Sequence, residues 1–302
     1  MHFLSLGDFS HKELRDLLDH ASELKARPTA GGDALRGKTL ALVFLKHSTR
    51  TRVSFEAGMH QLGGNAIYLS EDTSQLGRGE TIADTVKTLS RYVDGIAARV
   101  FGHEQIEEIA QHAGVPVING LTDFNHPCQI LADLMTIEEH LGSLRGCRLA
   151  FYGAADNNIV NSFLHACPLF GVQLTVCSPP GQALNPVALA AARKAGENNA
   201  WEPRLTHDPA EAAADADVLY TDVWFSMHET PSEEGLAAYR PYQVNEALMA
   251  RAPASALFMH CMPVHRGEEA TDGVADSAQS VIFDEAENRL HAQKAVLLSL
   301  MG

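Results

Sequence analysis

Cysteine is scarce in this 302-residue chain: there are five, Cys128, Cys147, Cys167, Cys177 and Cys261, with no pair at CxxC spacing. An odd count without that spacing excludes a disulfide framework and a structural zinc site of the usual kind. Free thiols fit a reducing compartment. No window of about 18 apolar residues occurs, so no membrane-spanning helix is expected. The N-terminus MHFLSLGDFSHKELR has neither a basic n-region nor a long apolar run, so it does not read as a secretory signal. The expected location is cytoplasmic. Positive charge is also short, with 23 Lys and Arg against 38 Asp and Glu for a net charge of −15. That argues against non-specific nucleic-acid binding. The same field repels small anions, so a phosphate site would need cations gathered locally against it. A GxGxxG fingerprint is missing, which removes the argument for a dinucleotide. Solenoid repeats and low-complexity tracts are missing as well.

What is present is an ordinary globular composition, 45% hydrophobic and 20% charged. The length suggests two domains of about 150 residues each. Ser10-His-Lys-Glu13 reads as a capping box, opening a helix that the spacing of Leu14, Leu17, Leu18, Ala21 and Leu24 carries to about Ala26. Thr39–Leu45 is a continuous apolar run, the mark of a strand buried on both faces. From there the patterns alternate: helix Thr49 to about Gln61, strand Ala66–Leu69, helix Thr81–Tyr92, strand Gly95–Val100, helix Glu104–Ala113, strand Val115–Asn119, helix Cys128–Leu141. Ser143–Gly146 breaks the series and a second begins. It runs strand Arg148–Tyr152, helix Asn158–Phe170, strand Val172–Cys177, helix Pro186–Ala195, strand Val218–Thr221, helix Val244–Arg251, strand Ala256–His260 and a last helix from about Glu285 to Leu300. Repeated βαβ units imply parallel sheets with right-handed crossovers. The expected fold is therefore α/β, two doubly wound domains with parallel sheets joined by long helices. Ligands in such sheets bind at the carboxyl ends of the strands, so the active site is expected in the interdomain cleft.

The polar motifs fall at those ends. Lys46-His-Ser48-Thr49-Arg50-Thr51-Arg52 follows a buried strand and opens a helix, where free N–H groups and the helix dipole favour an anion. Ser48, Thr49 and Thr51 add hydroxyls, and Arg50 and Arg52 are of a type that forks onto phosphate oxygens. The blander alternative is a capped helix with two solvated arginines. His126-Pro-Cys-Gln129 again precedes a helix, with Pro suited to the first turn; a neutral His or a Gln amide there can donate to a carbonyl oxygen, or His126 simply caps the helix. Asp222-Val-Trp-Phe-Ser226-Met227 ends a strand of the second series, where Asp222 can bind an ammonium and Ser226 can hydrogen-bond. His260-Cys261-Met262-Pro263 ends another. A thiol there acts as nucleophile, as hydrogen-bond partner or as a small buried residue, and the residues alone do not choose among these. Gly153-Ala-Ala-Asp-Asn157-Asn158 offers amide donors and acceptors at a helix start.

Together these motifs resemble the ornithine carbamoyltransferases, over essentially the whole chain. STRTR at Ser48–Arg52 and HPCQ at His126–Gln129 are similar to the carbamoyl-phosphate signatures of transcarbamylases in general. Asp222–Met227 and His260–Pro263 resemble signatures of the ornithine branch, and Gln75–Glu80, Arg99-Val-Phe and Phe283–Arg289 fit the same family.

The resemblance implies a carbamoyl-phosphate-binding domain over 1–138, with the C-terminal helix 285–302 packing back on it, and an ornithine-binding domain over 139–284. It implies that Ser48, Thr49, Arg50 and Thr51 hold the phosphate, that Arg99, His126 and Gln129 reach the carbamoyl end, and that Arg289 lies near the carbamoyl phosphate. Gln75 would be offered across a subunit interface in a homotrimer. Asn158, Asp222, Ser226 and Met227 would hold ornithine, with Asp222 on its α-ammonium. Cys261 and Met262 would sit near the side-chain amine, where carbamoyl phosphate also reaches. The groups expected to act in catalysis are Arg50, Arg99, His126, Asp222, Cys261 and Arg289. The implied reaction carries the carbamoyl group of carbamoyl phosphate to the δ-amine of L-ornithine, giving L-citrulline and phosphate in arginine biosynthesis, with no cofactor, metal, nucleic acid or membrane partner.

The chain departs from the family pattern at three places. Ala154 follows Gly153 where Asp is common, Met262 stands where Leu is usual, and His228-Glu229 replaces Gly-Gln after Ser226-Met227. The rivals are a relative acting on putrescine or an N-acylated ornithine, and a non-catalytic trimeric paralogue. Putrescine lacks the α-carboxylate and would leave Ser226-Met227 without purpose, and an acyl group removes the ammonium that Asp222 suits. A non-catalytic paralogue predicts loss of an arginine or of His126, and none is lost.

Overall fold

The computed structural model describes residues 1–27, 30–73, 79–225 and 232–302. The chain divides into two compact units, Met1–Met135 with Glu287–Gly302, and Thr136–Ala286.

In the first unit, α1 (His11–Ala26) starts at the expected capping box: Ser10 Oγ accepts the Glu13 N–H, and the Ser10 N–H donates to Glu13 Oε2 at 2.8 Å. Then follow β1 (Thr39–Phe44), α2 (Thr49–Gln61), β2 (Asn65–Ser70), α3 (Ile82–Leu89), β3 (Gly95–Arg99), α4 (His103–His112), β4 (Val117–Leu121) and α5 (Pro127–Leu141). The strands form one parallel sheet in the order β2-β1-β3-β4. Strands β1 and β3 are central and buried on both faces, which is why their sequences are apolar without alternation. Val43 and Ala41 of β1, Ile96 and Ala98 of β3, and Ile106 and Ile109 of α4 meet in one buried cluster. At the edge, β2 alternates and leaves Ile67 exposed.

The second unit continues with β5 (Arg148–Tyr152), α6 (Asn158–Phe170), β6 (Gln173–Cys177), α7 (Pro186–Ala195), β7 (Arg204–Thr206), α8 (Pro209–Ala213), β8 (Val218–Thr221), α9 (Glu233–Tyr239), α10 (Glu246–Met249), β9 (Leu257–His260), α11 (Asp272–Ala275) and α12 (Ile282–Met301). Its sheet is also parallel, in the order β7-β6-β5-β8-β9. Ala150 and Tyr152 of β5, Leu219 of β8 and Phe258 of β9 pack with Leu248 and Met249 of α10 and Val274 and Ala275 of α11. Helix α6 is buried nearly throughout and ends at Gly171, whose φ of 70° lets the chain turn left-handed at the C-terminus.

The two sheets share a plan. In each, the strand order reverses direction once, between β1 and β3 in the first unit and between β5 and β8 in the second. Right-handed crossovers then put helices on opposite faces, making both sheets doubly wound. A crevice opens at the carboxyl ends of the strands where the order reverses, and ligands of such folds sit there. No helix of the described residues is long and apolar enough to cross a membrane.

Candidate active site

The first crevice lies beyond the ends of β1 and β3, where the chain places Ser48–Arg52 and Arg99. Ser48 is the N-cap of α2, and its Oγ accepts the Thr51 N–H at 3.2 Å. Thr49 is exposed, Ser48 and Arg50 are half-buried, and Thr51 is buried. Arg99 closes β3, and its carbonyl accepts the Leu45 N–H at 2.9 Å, tying the two strand ends together. His126, just past β4 and before α5, is buried. Arg289 of α12 is also buried, and its guanidinium bridges the site: Nη2 donates to Thr51 Oγ1 at 3.0 Å and Nη1 donates to Gln129 Oε1. On α5, Gln129 Nε2 donates to Asp133 Oδ1 at 2.7 Å.

Three arginines therefore converge inside a protein of net charge −15, which is the local concentration of cations that an anion site needs. Their effect is visible on His126. Burial first, then the guanidiniums of Arg289, Arg99 and Arg50, hold its imidazole well below the ordinary value of 6.5. His126 is thus neutral near pH 7 and fit to donate a hydrogen bond to an oxygen. Lys46 feels the same pressure: burial and then Arg99 lower its ammonium, whose Nζ sits 5.0 Å from the Phe101 ring centre. Arg52 does not join this group. Its Nε donates to Glu56 Oε1 at 2.9 Å and its guanidinium stacks 3.9 Å over the Tyr68 ring. Arg52 is instead engaged in an i,i+4 pair and a cation–π contact, so it is not paired with Arg50 as expected.

The second crevice lies beyond β5 and β8. Asn157 caps α6, its Oδ1 accepting the Ile159 N–H at 2.7 Å, and its Nδ2 donates to Asp222 Oδ2 at 3.2 Å. From the end of β9, Cys261 Sγ donates to Asp222 Oδ1 at 3.1 Å. Asp222 is 8% exposed, so its carboxylate is held at both oxygens near the surface of the crevice. Asn158, the first residue of α6, is half-buried. His260 is buried; its Nδ1 accepts the Met262 N–H at 2.8 Å, so its proton lies on Nε2 facing Glu269 Oε1 at 3.1 Å. The His260 N–H donates to Glu285 Oε2 at 2.9 Å. These bonds hold the turn in which Met262 takes a left-handed φ of 59° before the cis Met262–Pro263 peptide. Gln75, Ser226 and Met227, and with them His228, lie outside the described residues.

Cys261 is half-buried, whereas burial pushes the thiols of Cys128, Cys147 and Cys177 up to about 12 and that of Cys167 well above the ordinary value. The four buried cysteines are therefore packing residues. Among the described residues, two groups of side chains are close enough to share a cation, Asp222 with His260 and Cys261, and His265 with Glu268 and Glu269. In the first, both His260 nitrogens already serve the turn, so the arrangement is that of a hydrogen-bond network. Sequence reasoning passed over Asp133 and the Asn157–Asp222 bond. The signal for Asp133 was its place one helical turn after Gln129, a second polar group on a helix that is otherwise apolar there.

Residues 1–139 match the family described as "Aspartate/ornithine carbamoyltransferase, carbamoyl-P binding domain", and residues 145–300 match its "Asp/Orn binding domain". The chain belongs to the aspartate/ornithine carbamoyltransferase family. Within this family, the ornithine carbamoyltransferase of Carboxydothermus hydrogenoformans is 50% identical over 305 residues, covering 99% of this chain and 97% of that one. The ornithine carbamoyltransferase of Agrobacterium fabrum is 51% identical over 303 residues, covering 100% and 98%. A solved ornithine carbamoyltransferase from Pyrococcus furiosus has a TM-score of 0.95 at 48% identity, covering 100% of this chain and 97% of that one. An acetylornithine transcarbamylase complexed with acetylcitrulline has a TM-score of 0.90 at 34% identity, covering 100% and 99%. The carbamoyl-P match contains Ser48–Arg52, Arg99 and His126–Gln129, and the Asp/Orn match contains Asp222, Cys261 and also Arg289.

Proposed function

We propose that the protein transfers the carbamoyl group of carbamoyl phosphate to the δ-amine of L-ornithine, releasing L-citrulline and phosphate, in arginine biosynthesis. Ser48, Thr49, Arg50 and Thr51 hold the phosphate at the start of α2, where the helix dipole favours an anion. Arg99, His126, Gln129 and Arg289 take the carbamoyl end, with Cys261 and Met262 beside it. Asp222 takes the α-ammonium of ornithine, and Asn158, Ser226 and Met227 complete that contact. The reaction requires both half-sites to serve one pair of substrates.

The neutral δ-amine attacks the carbonyl carbon, a tetrahedral oxyanion forms, and the bond from carbon to the phosphate oxygen breaks as the amine gives up its proton. An amine with a pKa of about 10 must first be deprotonated. Arginines and a neutral His126 aimed at the developing negative charge are the preorganised donors such a transition state needs. Holding the two substrates in line contributes up to about 7–11 kcal/mol more.

The observation that carries the choice of ornithine is the buried Asp222 carboxylate, pinned by Asn157 and Cys261 at the strand reversal of its sheet. A carboxylate so placed favours a free ammonium, which N-acylated ornithine lacks; putrescine keeps an ammonium at that end but lacks the α-carboxylate. Citrulline assays with ornithine, putrescine and N-acetylornithine in parallel test this. Turnover is expected with ornithine; preference for N-acetylornithine would refute the assignment of Asp222, and preference for putrescine would refute ornithine as the substrate.

We further propose a homotrimer, with Gln75 offered to a neighbouring subunit, working in the cytoplasm. Exposed Ile67 on the edge strand β2 and exposed Val53 on α2 supply apolar surface for a second copy. Five free thiols suit a reducing compartment.

A further inference from the structure

Between β9 and α11 the chain turns back on itself over residues 265–270, and no side chain there has a part in the transfer proposed above. The turn is held by its backbone. The His265 carbonyl accepts the Glu268 N–H at 2.9 Å, and the Gly267 N–H donates to the Ala270 carbonyl at 2.8 Å. Gln243 Nε2 donates to the Gly267 and Glu268 carbonyls at 2.9 and 2.7 Å. The side chains of His265, Glu268 and Glu269 converge over this frame, with one ligand atom from each within 4.8 Å of the other two. His265 Nδ1 lies 3.8 Å from Glu268 Oε2 and 3.8 Å from Glu269 Oε2. Those gaps are too wide for hydrogen bonds.

Glu269 sets the character of the cluster. It is fully buried, and its Oε1 accepts from His260 Nε2 at 3.1 Å and from the His265 N–H. Its Oε2 is buried too, faces His265 Nδ1, and accepts no hydrogen bond. A buried carboxylate oxygen without a partner is costly, and a cation in front of it removes that cost. His265 and Glu268 are each about half exposed, so the buried oxygen makes a floor and the other two groups a rim open to water. The neighbouring Arg266 guanidinium is committed to Asp272 and Asp276.

We propose that His265, Glu268 and Glu269 bind a divalent first-row transition cation, through His265 Nδ1 and one oxygen of each glutamate, with water completing the shell. One imidazole and two carboxylates are a donor set for Zn2+, Co2+ or Mn2+. Bonds of about 2.0–2.2 Å in tetrahedral geometry set ligand atoms about 3.4 Å apart, so the 3.8 Å gaps need close only slightly. Ligating carboxylates are themselves held by hydrogen bonds, and His260 holds the other oxygen of Glu269. Because His260 also accepts the Met262 N–H, a bound ion braces the turn that follows β9.

The test titrates Zn2+ alone into the full chain by calorimetry. The wild type is expected to show one tight event per chain. His265→Ala and Glu268→Gln alter exposed rim groups and should fold. Losing a partner behind a ligand weakens metal binding about 10–100-fold, so losing a ligand should weaken this event at least about tenfold. Zn2+ should raise the thermal unfolding midpoint of the wild type and leave that of His265→Ala unchanged. Co2+ distinguishes this site from the Asp222–His260–Cys261 group: here it should give weak visible bands alone, whereas a thiolate ligand adds intense near-ultraviolet absorption. Tight binding that persists in both variants would overturn the proposal. So would a thiolate band with the first equivalent of Co2+, or weak binding spread over many sites, an adventitious ion only.

Discussion

Arg50, Arg99 and Arg289 surround a neutral His126, and the consequences are measurable one side chain at a time. Arg50 is half-buried and caps no helix, so Arg50→Ala should leave the fold intact while kcat/KM falls about 10²–10³-fold; a loss below about fivefold would refute its phosphate role. Asp222→Asn removes the charge but keeps the shape. The KM for ornithine should rise by about 10–100-fold, the worth of a hydrogen bond to a charged group, with that for carbamoyl phosphate nearly constant. Equal changes in both would contradict the assignment. His126 also makes a prediction about pH. Unfolded, it titrates near 6.5, and folded, well below. Between those values the unfolded chain binds the extra proton, so this contribution to stability is complete above about 6.5 and is lost as pH falls from there toward the folded value. Denaturant unfolding of wild type and His126→Asn checks it: below pH 6.5 the wild type should lose stability more steeply. His2 and His291, also lowered by burial, are common to both proteins and cancel in the comparison. Parallel curves would place the His126 proton elsewhere.

At the scale of elements, helix starts carry both structure and chemistry. Asn157 caps α6 and holds Asp222. Asn157→Ala should cost about 1 kcal/mol of stability as a lost cap and raise the KM for ornithine, seen by denaturant titration and steady-state kinetics; a stability loss with unchanged KM would make the residue a cap only. Buried strands were legible as apolar runs: Thr39–Leu45 became β1 almost residue for residue, and Arg148–Tyr152 and Val218–Thr221 became β5 and β8 unchanged. Strand β7 was missed because Arg204–Thr206 is an exposed edge with no apolar run to betray it. The helix expected over Val244–Arg251 shrinks to Glu246–Met249, since Asn245 caps it and Val244 is committed to a bridge with Ala270. Short helices α9 and α11 carry too few turns to show a period. The site divides the same way. Motifs at strand ends were visible because their residue types are uncommon there, whereas the contact of Arg52 with Glu56 and Tyr68 and that of Gln129 with Asp133 depend on side-chain direction, which spacing alone does not give.

For the whole molecule, the acidic surface and the basic crevice divide the labour. Net charge −15 disfavours stray anions and nucleic acid, while the arginines around His126 gather positive charge at one place. The proposed trimer would use the apolar edge at β2. Sedimentation should give three times the 32.7 kDa of the chain, and Ile67→Asp should lower both mass and activity together; a fully active monomer would refute the shared site. The central claim is that one protein joins two substrates through a single group transfer. Carbamoyl phosphate labelled at its carbonyl carbon, incubated with ornithine, tests it most directly. The account predicts labelled citrulline and inorganic phosphate in equal amounts, and phosphate released without citrulline would contradict it.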